Sequence, residues 1–212
     1  MALHWHRREE SGACLALWQI EPGELGPGDI PGPLLTPARL QAIQHPRVRE
    51  EFLAGRRALA CATPPGRTLQ VQKDGKPNLL PEGNVSLSHT RGFAAAQFHP
   101  TLPCGIDLEP VEREVSDSVQ TRFLHLEELN ALHDSTAPVI AWWCAKEAVY
   151  KAHGRAGLNF KEAIRLELDF SPEGGFRGVG WSRDSRLRRW EIRGERPGSG
   201  TVWVVWAVES FP

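Results

Sequence analysis

The order of apolar patterns along this 212-residue chain constrains its fold more than any single motif. A strand pattern at residues 13–20 is followed by a helix pattern over about 36–62. Short strand patterns come next, and the same order of strand, helix and strands returns in the second half. We therefore predict an α+β protein of two similar lobes, residues 1–103 and 104–212, with a ligand cleft between them.

Local signals give the individual elements. Five prolines and four glycines predict a loop at residues 21–37. Pro46 is expected to interrupt the first long helix pattern. The other predicted elements are strands at 69–71, 85–88, 93–98 and 104–109, helices at 116–134 and 138–153, and strands at 163–170, 189–193 and 202–208.

Composition and charge narrow the class of protein. The content of 41% hydrophobic and 24% charged residues is ordinary for a soluble globular chain, and a net charge of −1 gives no argument for nucleic acid. Four widely spaced cysteines without a CxxC pair favour buried free thiols over a zinc site or disulfides. The first ten residues lack the apolar core of a signal peptide, and no apolar run has the length of a membrane span. We therefore expect a cytoplasmic protein.

Three carboxylates and a lysine are predicted to converge. Asp107 and Glu109 are two residues apart on a strand pattern, so both project from the same face. On the helix pattern that follows, Trp143, Glu147 and Lys151 are spaced by four and lie along one stripe. This composition suits a divalent cation and a phosphorylated substrate, because Mg²⁺ takes oxygen ligands and often shares them with phosphate.

Five segments of the chain also form a recognisable series. They are Ala-Gly-Arg-Arg at 54–57, Gly-Lys-Pro-Asn-Leu at 75–79, Asn-Val-Ser-Leu-Ser-His-Thr at 84–90, Gly-Ile-Asp-Leu-Glu at 105–109 and the ten residues of 143–152. Together they resemble the 4′-phosphopantetheinyl transferase superfamily, in its two-lobed, surfactin-synthetase-activating form. The resemblance covers about residues 47–160 and implies an active site in the cleft between the lobes.

The resemblance implies an activity and roles for the converging residues. Such enzymes move the phosphopantetheine arm of coenzyme A to a serine of an acyl or peptidyl carrier protein, releasing adenosine 3′,5′-bisphosphate. Asp107, Glu109 and Glu147 would hold Mg²⁺, with Mn²⁺ as an alternative. Asp107, Glu147 and Lys151 would be catalytic, with Glu147, or a water that it orients, taking the serine proton and Lys151 contacting a phosphate.

The same resemblance implies contacts to coenzyme A. They are Arg56, Lys76, Ser88, His89 and Lys151. Arg56 would meet the 3′-phosphate, but helix periodicity does not decide between it and its neighbours Arg47, Arg49 and Arg57. The tryptophans, Trp143 among them, are interpreted as core and interface residues outside the site.

Two other functions stay open from the sequence. A non-catalytic module binding coenzyme A or a carrier protein would keep the fold, although Asp107, Glu109, Glu147 and Lys151 are all present. A metal-dependent phosphohydrolase would use water as the nucleophile, but the sequence lacks a Walker-type loop or a histidine metal motif. We expect a monomer, because two lobes in one chain complete a cleft. The arginine clusters are interpreted as solvated faces, one of which would suit an acidic carrier helix.

Overall fold

The computed structural model describes residues 3–72, 75–135 and 137–211. The chain divides into two compact units, Met1–Leu102 and Pro103–Pro212. Each unit contains an antiparallel sheet and a long helix packed on it, which confirms the predicted α+β class with two similar lobes. The placement of an active site between the lobes stays a prediction. The Asp-Gly pair at residues 74 and 75 also predicts a turn, of which Asp74 lies outside the described residues.

The described residues of unit 1 form a six-stranded antiparallel sheet in the order β1-β2-β6-β5-β4-β3. In chain order its elements are β1 (Leu3–Arg8), β2 (Cys14–Gln19), α1 (Pro37–Ala42), α2 (Pro46–Ala62), β3 (Thr68–Val71), β4 (Pro77–Leu80), β5 (Asn84–Thr90) and β6 (Phe93–His99). The predicted break at Pro46 is confirmed, since this proline begins α2, where it has no helical hydrogen bond to lose.

Helix α2 packs against β2 and β6. Its buried Leu53 and Leu59 belong to one apolar cluster with Ala94 and Ala96 of β6. Because these strand positions carry only methyl groups, the helix has room to lie close to the sheet. The packing fixes which side of α2 faces the core, and hence where its charged residues point.

The described residues of unit 2 form a five-stranded antiparallel sheet in the order β7-β11-β10-β9-β8. In chain order its elements are β7 (Cys104–Pro110), α3 (Asp117–Phe123), α4 (Leu126–His133), α5 (Val139–His153), α6 (Phe160–Ala163), β8 (Ile164–Phe170), β9 (Phe176–Arg183), β10 (Leu187–Glu195) and β11 (Val202–Ser210). Strand β7 pairs with β11, with Asp107 opposite Val205. It is also the strand on which α5 lies.

The single helix predicted at 116–134 is wrong, because two helices occupy this stretch. Leu124 between them is extended, with φ −94° and ψ 139°. His125 then caps the N-terminus of α4, and its backbone N–H donates to Glu128 Oε2 at 2.7 Å. This cap satisfies a helix N-terminus that would not exist in a continuous helix.

Helix α5 is apolar around most of its circumference. Ile140, Ala145 and Val149 are buried in the cluster that also contains Trp190 and Val205 of the sheet. The half-buried positions of its last three turns are Trp143, Glu147, Tyr150 and Lys151. Trp143, Glu147 and Lys151 form the stripe that the sequence predicts, and Tyr150 is an addition to it. Even so, no helix among the described residues combines the length and apolar character needed to cross a membrane.

Candidate functional site

Strand β7 and helix α5 come close together at Gly105. A Cβ atom at this position would lie 2.1 Å from the Ala148 carbonyl oxygen and 2.5 Å from the Ala152 nitrogen. Side chains alternate along a strand, so Gly105, Asp107 and Glu109 share the face that meets α5. The missing side chain of Gly105 therefore brings two carboxylates against the helix.

An ion pair joins the strand to the helix. Lys151 Nζ lies 2.7 Å from Asp107 Oδ1 and donates a second hydrogen bond to the Ile106 carbonyl at 3.2 Å. The Asp107 side chain is 7% exposed and that of Lys151 is 27% exposed. Partial removal from water strengthens the attraction relative to a surface pair. The structure thus brings together two of the predicted site residues from positions 44 apart in sequence.

Glu109 is held by two further groups. The indole N–H of Trp143 donates to Glu109 Oε1 at 3.0 Å, and the Arg113 guanidinium pairs with the same oxygen. Arg113 also lies over the Trp143 ring, 5.7 Å from its centroid. Trp143 packs against the core as expected, and it also belongs to the site.

The sequence gives unequal signals for these two residues. Trp143 lies on the same helical stripe as Glu147, and this spacing indicates that it is close to the site. Its interpretation as a core residue alone was therefore incomplete. Arg113 follows the end of β7, where helical spacing does not apply, and nothing in the sequence marks it as a partner of Glu109. Both are therefore additions to the predicted site.

Negative charge is concentrated around Glu147. The pKa of Glu147 is raised to about 7, chiefly by burial and next by the charge of Asp107, with a smaller contribution from Glu109, while Lys151 and Arg113 oppose the rise. The pKa of the buried Cys144 thiol is raised by burial and, next, by Asp107. Three carboxylates here face two basic residues, which leaves an excess of negative charge.

The donor set fits a hard divalent cation in kind, since carboxylate oxygens are the ligands that Mg²⁺ prefers. Among the residues that the structure describes, no three acidic, cysteine or histidine side chains are arranged to hold a metal ion. The carboxylates instead face cations of the chain: Asp107 pairs with Lys151, and Glu109 pairs with Arg113. The metal site of Asp107, Glu109 and Glu147 stays a prediction.

In unit 1, His89 lies beside a buried carboxylate. His89 Nδ1 is 3.4 Å from Glu51 Oε2, and Arg47 Nε is 2.8 Å from Glu51 Oε1. Glu51 is 7% exposed, whereas more than half of the His89 side chain is exposed. Glu51 was not predicted as a site residue, although Arg47 four positions earlier on the helix was a signal that it is paired.

Arg56 is a buried cation on α2. It is 6% exposed, and its guanidinium stacks over the Phe52 ring at 4.6 Å. Burial, and next the charge of Arg39, lower its pKa to about 10. Within the described ranges the Arg56 side chain makes no hydrogen bond or ion pair, and its Nε is fully enclosed. Five residues along a helix turn through about 140°, so Arg56 does not share the side of α2 occupied by Glu51.

The other residues predicted to contact coenzyme A have different surroundings. Ser88 is buried on β5, and because neighbouring strand residues face opposite ways, it points away from the exposed His89. Lys76 is half-buried just before β4, and its carbonyl accepts from the Gln72 N–H at 2.9 Å. The alternative arginines Arg49 and Arg57 each donate to a backbone carbonyl, at 3.3 and 3.4 Å.

Comparison with known proteins adds one match. Residues 103–205 match the family model described as the 4′-phosphopantetheinyl transferase superfamily. No curated protein is found to match this chain. The matched range contains β7 and α5, and with them Asp107, Glu109, Glu147 and Lys151. It supports phosphopantetheine transfer as the general activity of this part of the chain.

Proposed function

We propose that this protein transfers the 4′-phosphopantetheine group of coenzyme A to a serine of an acyl or peptidyl carrier protein and releases adenosine 3′,5′-bisphosphate. It would thus be a transferase of the holo-[acyl-carrier-protein] synthase type, in the two-lobed, surfactin-synthetase-activating form. The observation that carries the proposal is the Lys151–Asp107 ion pair beside Glu109 and Glu147, inside the range matched to the superfamily.

Asp107, Glu109 and Glu147 would hold the metal, Mg²⁺ or Mn²⁺. When bound, the cation would supply positive charge to the diphosphate of coenzyme A, where negative charge grows as the phosphoanhydride bond breaks. The excess of carboxylates over Lys151 and Arg113 supports this assignment.

The residues of α5 and β7 would position the reacting groups. The serine oxygen attacks the β-phosphorus, and the bond from this phosphorus to the bridging oxygen breaks, so the bisphosphate leaves. Glu147, one turn before Lys151 on the same stripe, would accept the serine proton directly or through a water that it orients. Lys151 is held in place by its two hydrogen bonds to β7, and it would donate to a phosphate oxygen.

Unit 1 would supply contacts to the phosphates of coenzyme A. Arg56 remains the candidate for the 3′-phosphate, because a buried guanidinium beside Arg39 gains from an anion. His89 is exposed and lies beside Glu51, which suits a phosphate contact, and Arg47 on the same carboxylate is one of the alternative arginines. Lys76 and Ser88 stay part of the proposed contact set.

The test combines the purified protein with coenzyme A, Mg²⁺ and a panel of apo acyl and peptidyl carrier proteins, each then weighed by mass spectrometry. We expect a gain of one phosphopantetheine that chelation of Mg²⁺ prevents. Asp107→Ala and Glu147→Ala should each lower the rate at least about 100-fold, the size of losing one electrostatic contact in an active site. Glu167→Ala, at an exposed carboxylate on β8, is the matched control.

Other outcomes select the alternatives. Tight binding of coenzyme A without modification of any carrier would favour a non-catalytic binding module of the same fold. Cleavage of the diphosphate without a carrier would favour a metal-dependent phosphohydrolase.

We also propose that the protein is a cytoplasmic monomer. All four cysteines are free and three of them are buried, which suits a reducing compartment. Sedimentation of the purified protein tests the oligomeric state, and a dimer at micromolar concentration would contradict the proposal.

A further inference from the structure

Arg113 lies at the outer edge of the candidate site in unit 2, where it pairs with Glu109. Its side chain is 48% exposed, whereas that of Glu109 is 11% exposed. The two partners would therefore lose very different amounts if they separated. The guanidinium can move into water, but the carboxylate would stay buried and would need another cation. This is an ion pair in which the cation can be exchanged and the anion cannot.

Glu109 does not depend on Arg113 for its position. The indole N–H of Trp143 donates to the same oxygen, Oε1, at 3.0 Å. The Trp143 ring is itself fixed, since it meets Phe123 edge-on at 5.1 Å and Phe160 at 5.8 Å. A neutral donor can stay on the carboxylate whichever cation faces it. Both contacts that the described residues make to Glu109 fall on Oε1, so its other oxygen is open to a further ligand.

The backbone of Arg113 is fixed while its side chain has a second place to rest. Its N–H donates to the Pro110 carbonyl at 3.1 Å, which closes a turn at the end of β7. The guanidinium lies over the Trp143 ring, 5.7 Å from the centroid. A guanidinium that leaves Glu109 can therefore remain stacked on the indole and hydrated on its outer side.

Another ion pair of unit 2 shows the contrast. Lys146 and Glu128 are both enclosed, at 2.8 Å from each other, and neither has contact with water. A cation in that position cannot be replaced without unfolding its surroundings. The exposure of Arg113 therefore distinguishes its pair with Glu109 from a purely structural one.

We propose that Arg113 is an exchangeable counter-ion of Glu109, which gives up its place to a divalent cation and withdraws to the Trp143 ring and to water. The inference rests on the proposed function, because it assumes the cation that Asp107, Glu109 and Glu147 would hold. It assigns a role to a residue outside the proposed metal ligands. Since two cations compete for one carboxylate, Arg113 lowers the affinity of the site for the metal and so determines how tightly the metal is held.

The test measures the binding of Mn²⁺ alone to the full chain, without coenzyme A or a carrier, by counting free Mn²⁺ with electron paramagnetic resonance. Arg113→Gln removes the competing charge at a half-exposed position. We expect its Kd for Mn²⁺ to be about three- to tenfold lower than that of the unmodified protein. Arg113→Lys retains the charge, so its Kd should stay closer to that of the unmodified protein.

A matched control separates competition at Glu109 from net charge. Glu114, one residue after Arg113, is exposed and makes no hydrogen bond or ion pair with another residue in the described part of the chain. We expect Glu114→Gln to leave the Kd for Mn²⁺ unchanged. If it weakens binding by as much as Arg113→Gln strengthens it, the general field accounts for both changes and the inference is overturned.

The direction of the change decides the role of Arg113. Weaker binding of Mn²⁺ by Arg113→Gln would show that Arg113 orients Glu109, and an equal Kd would show a purely structural pair. Either result overturns the inference and leaves the proposed transfer intact. Absence of Mn²⁺ binding by both proteins would overturn the predicted metal site and the inference together. Tighter binding by Arg113→Gln in a protein that modifies no carrier supports the exchange and defeats only the proposed function.

Discussion

Lys146, the residue before Glu147, is a fully buried lysine. Its Nζ lies 2.8 Å from Glu128 Oε2 and donates to the carbonyls of Ile164 at 2.6 Å and Phe160 at 3.2 Å. Burial lowers the pKa of Lys146 to about 8, and Glu128 opposes the shift. The other oxygen of Glu128 accepts the Leu166 N–H at 2.8 Å. This pair fixes α5 to α4 and to the start of β8.

Removing one partner of this pair is predicted to be costly. Lys146→Met leaves the Glu128 carboxylate buried without its cation, so we expect the free energy of unfolding in urea to fall by about 3–5 kcal/mol. In a Glu128→Gln background the same substitution should cost much less, because no charge is stranded. An equal cost in both backgrounds would contradict a coupled ion pair.

Spacing in the sequence predicts faces of elements but not which faces meet. Asp107 and Lys151 were expected to converge, and an ion pair joins them. The contacts of Glu51 with His89 and of Glu128 with Lys146 could not be predicted. Each connects two elements whose packing depends on the complete fold, and a charged residue on an amphipathic helix ordinarily points to water.

At the scale of elements, the site depends on how closely α5 lies on β7. Gly105→Ala places a methyl group against backbone atoms of Ala148 and Ala152, which cannot turn away as a side chain would. We expect a loss of about 1–3 kcal/mol or more in chemical denaturation, and a fall in transfer rate as Lys151 moves away from Asp107.

The same substitution elsewhere is predicted to act in the opposite direction. At Gly55, in α2, an added Cβ meets nothing within 4 Å. Gly55→Ala should therefore stabilise the protein by about 0.5–1 kcal/mol through helix propensity alone. If Gly105→Ala were as well tolerated as Gly55→Ala, the close approach of α5 and β7 would be disproved.

The helices and strands that could be predicted are those whose apolar residues recur at the spacing of a helix or a strand. Helices α2 and α5 and the strand β7 follow such patterns. The boundary between α3 and α4 does not, because the contact of Glu128 with the His125 N–H decides it. Strands β1, β4 and β9 were not predicted. Histidines and arginines in β1 and glycines in β9 hide the alternation, and β4 has only four residues and begins with a proline.

At the scale of the whole molecule, stability is expected to depend on pH through a histidine at the end of α5. His153 is 4% exposed, and its Nδ1 lies 2.7 Å from Ser182 Oγ. Its Nε2 lies 3.4 Å from Asp184 Oδ2. Burial, and next the charge of Arg188, lower the pKa of His153 below 6.5, while Asp184 opposes the shift.

The direction of the change in stability depends on the pH at which His153 takes up a proton in the folded and in the unfolded state. The unfolded chain protonates this histidine near its ordinary pKa of about 6.5, and the folded protein does so only at lower pH. Between the two values the unfolded state binds more protons, so the free energy of unfolding falls as pH decreases through this window. The contribution is complete above the ordinary pKa.

The measurement is the urea midpoint as a function of pH across this window. His153→Gln should remove the part of the slope due to this residue, whereas His6→Gln, at an exposed position, should leave the slope as it is. An unchanged slope in His153→Gln would show that other groups account for the pH dependence.

The two-lobed α+β class was predictable because the order of patterns repeats along the chain. This repeated order does not reveal which unit carries which charged contacts. The Lys151–Asp107 ion pair and the contact of the Trp143 indole with Glu109 belong to unit 2, while the buried Arg56 and the His89–Glu51 pair belong to unit 1. Both units have a sheet with a long helix packed on it, and they differ in the individual side chains that these elements carry.

The hydrogen bond from Trp143 to Glu109 also gives the protein an optical signal at the candidate site. Indole emission responds to a nearby charge, and Trp143 is half-buried against a carboxylate and a guanidinium. Five of the other tryptophans are buried: Trp18, Trp142, Trp190, Trp203 and Trp206. A cation or phosphate that displaces Arg113 from Glu109 would therefore change the fluorescence of an unlabelled sample, and occupancy could be followed in real time.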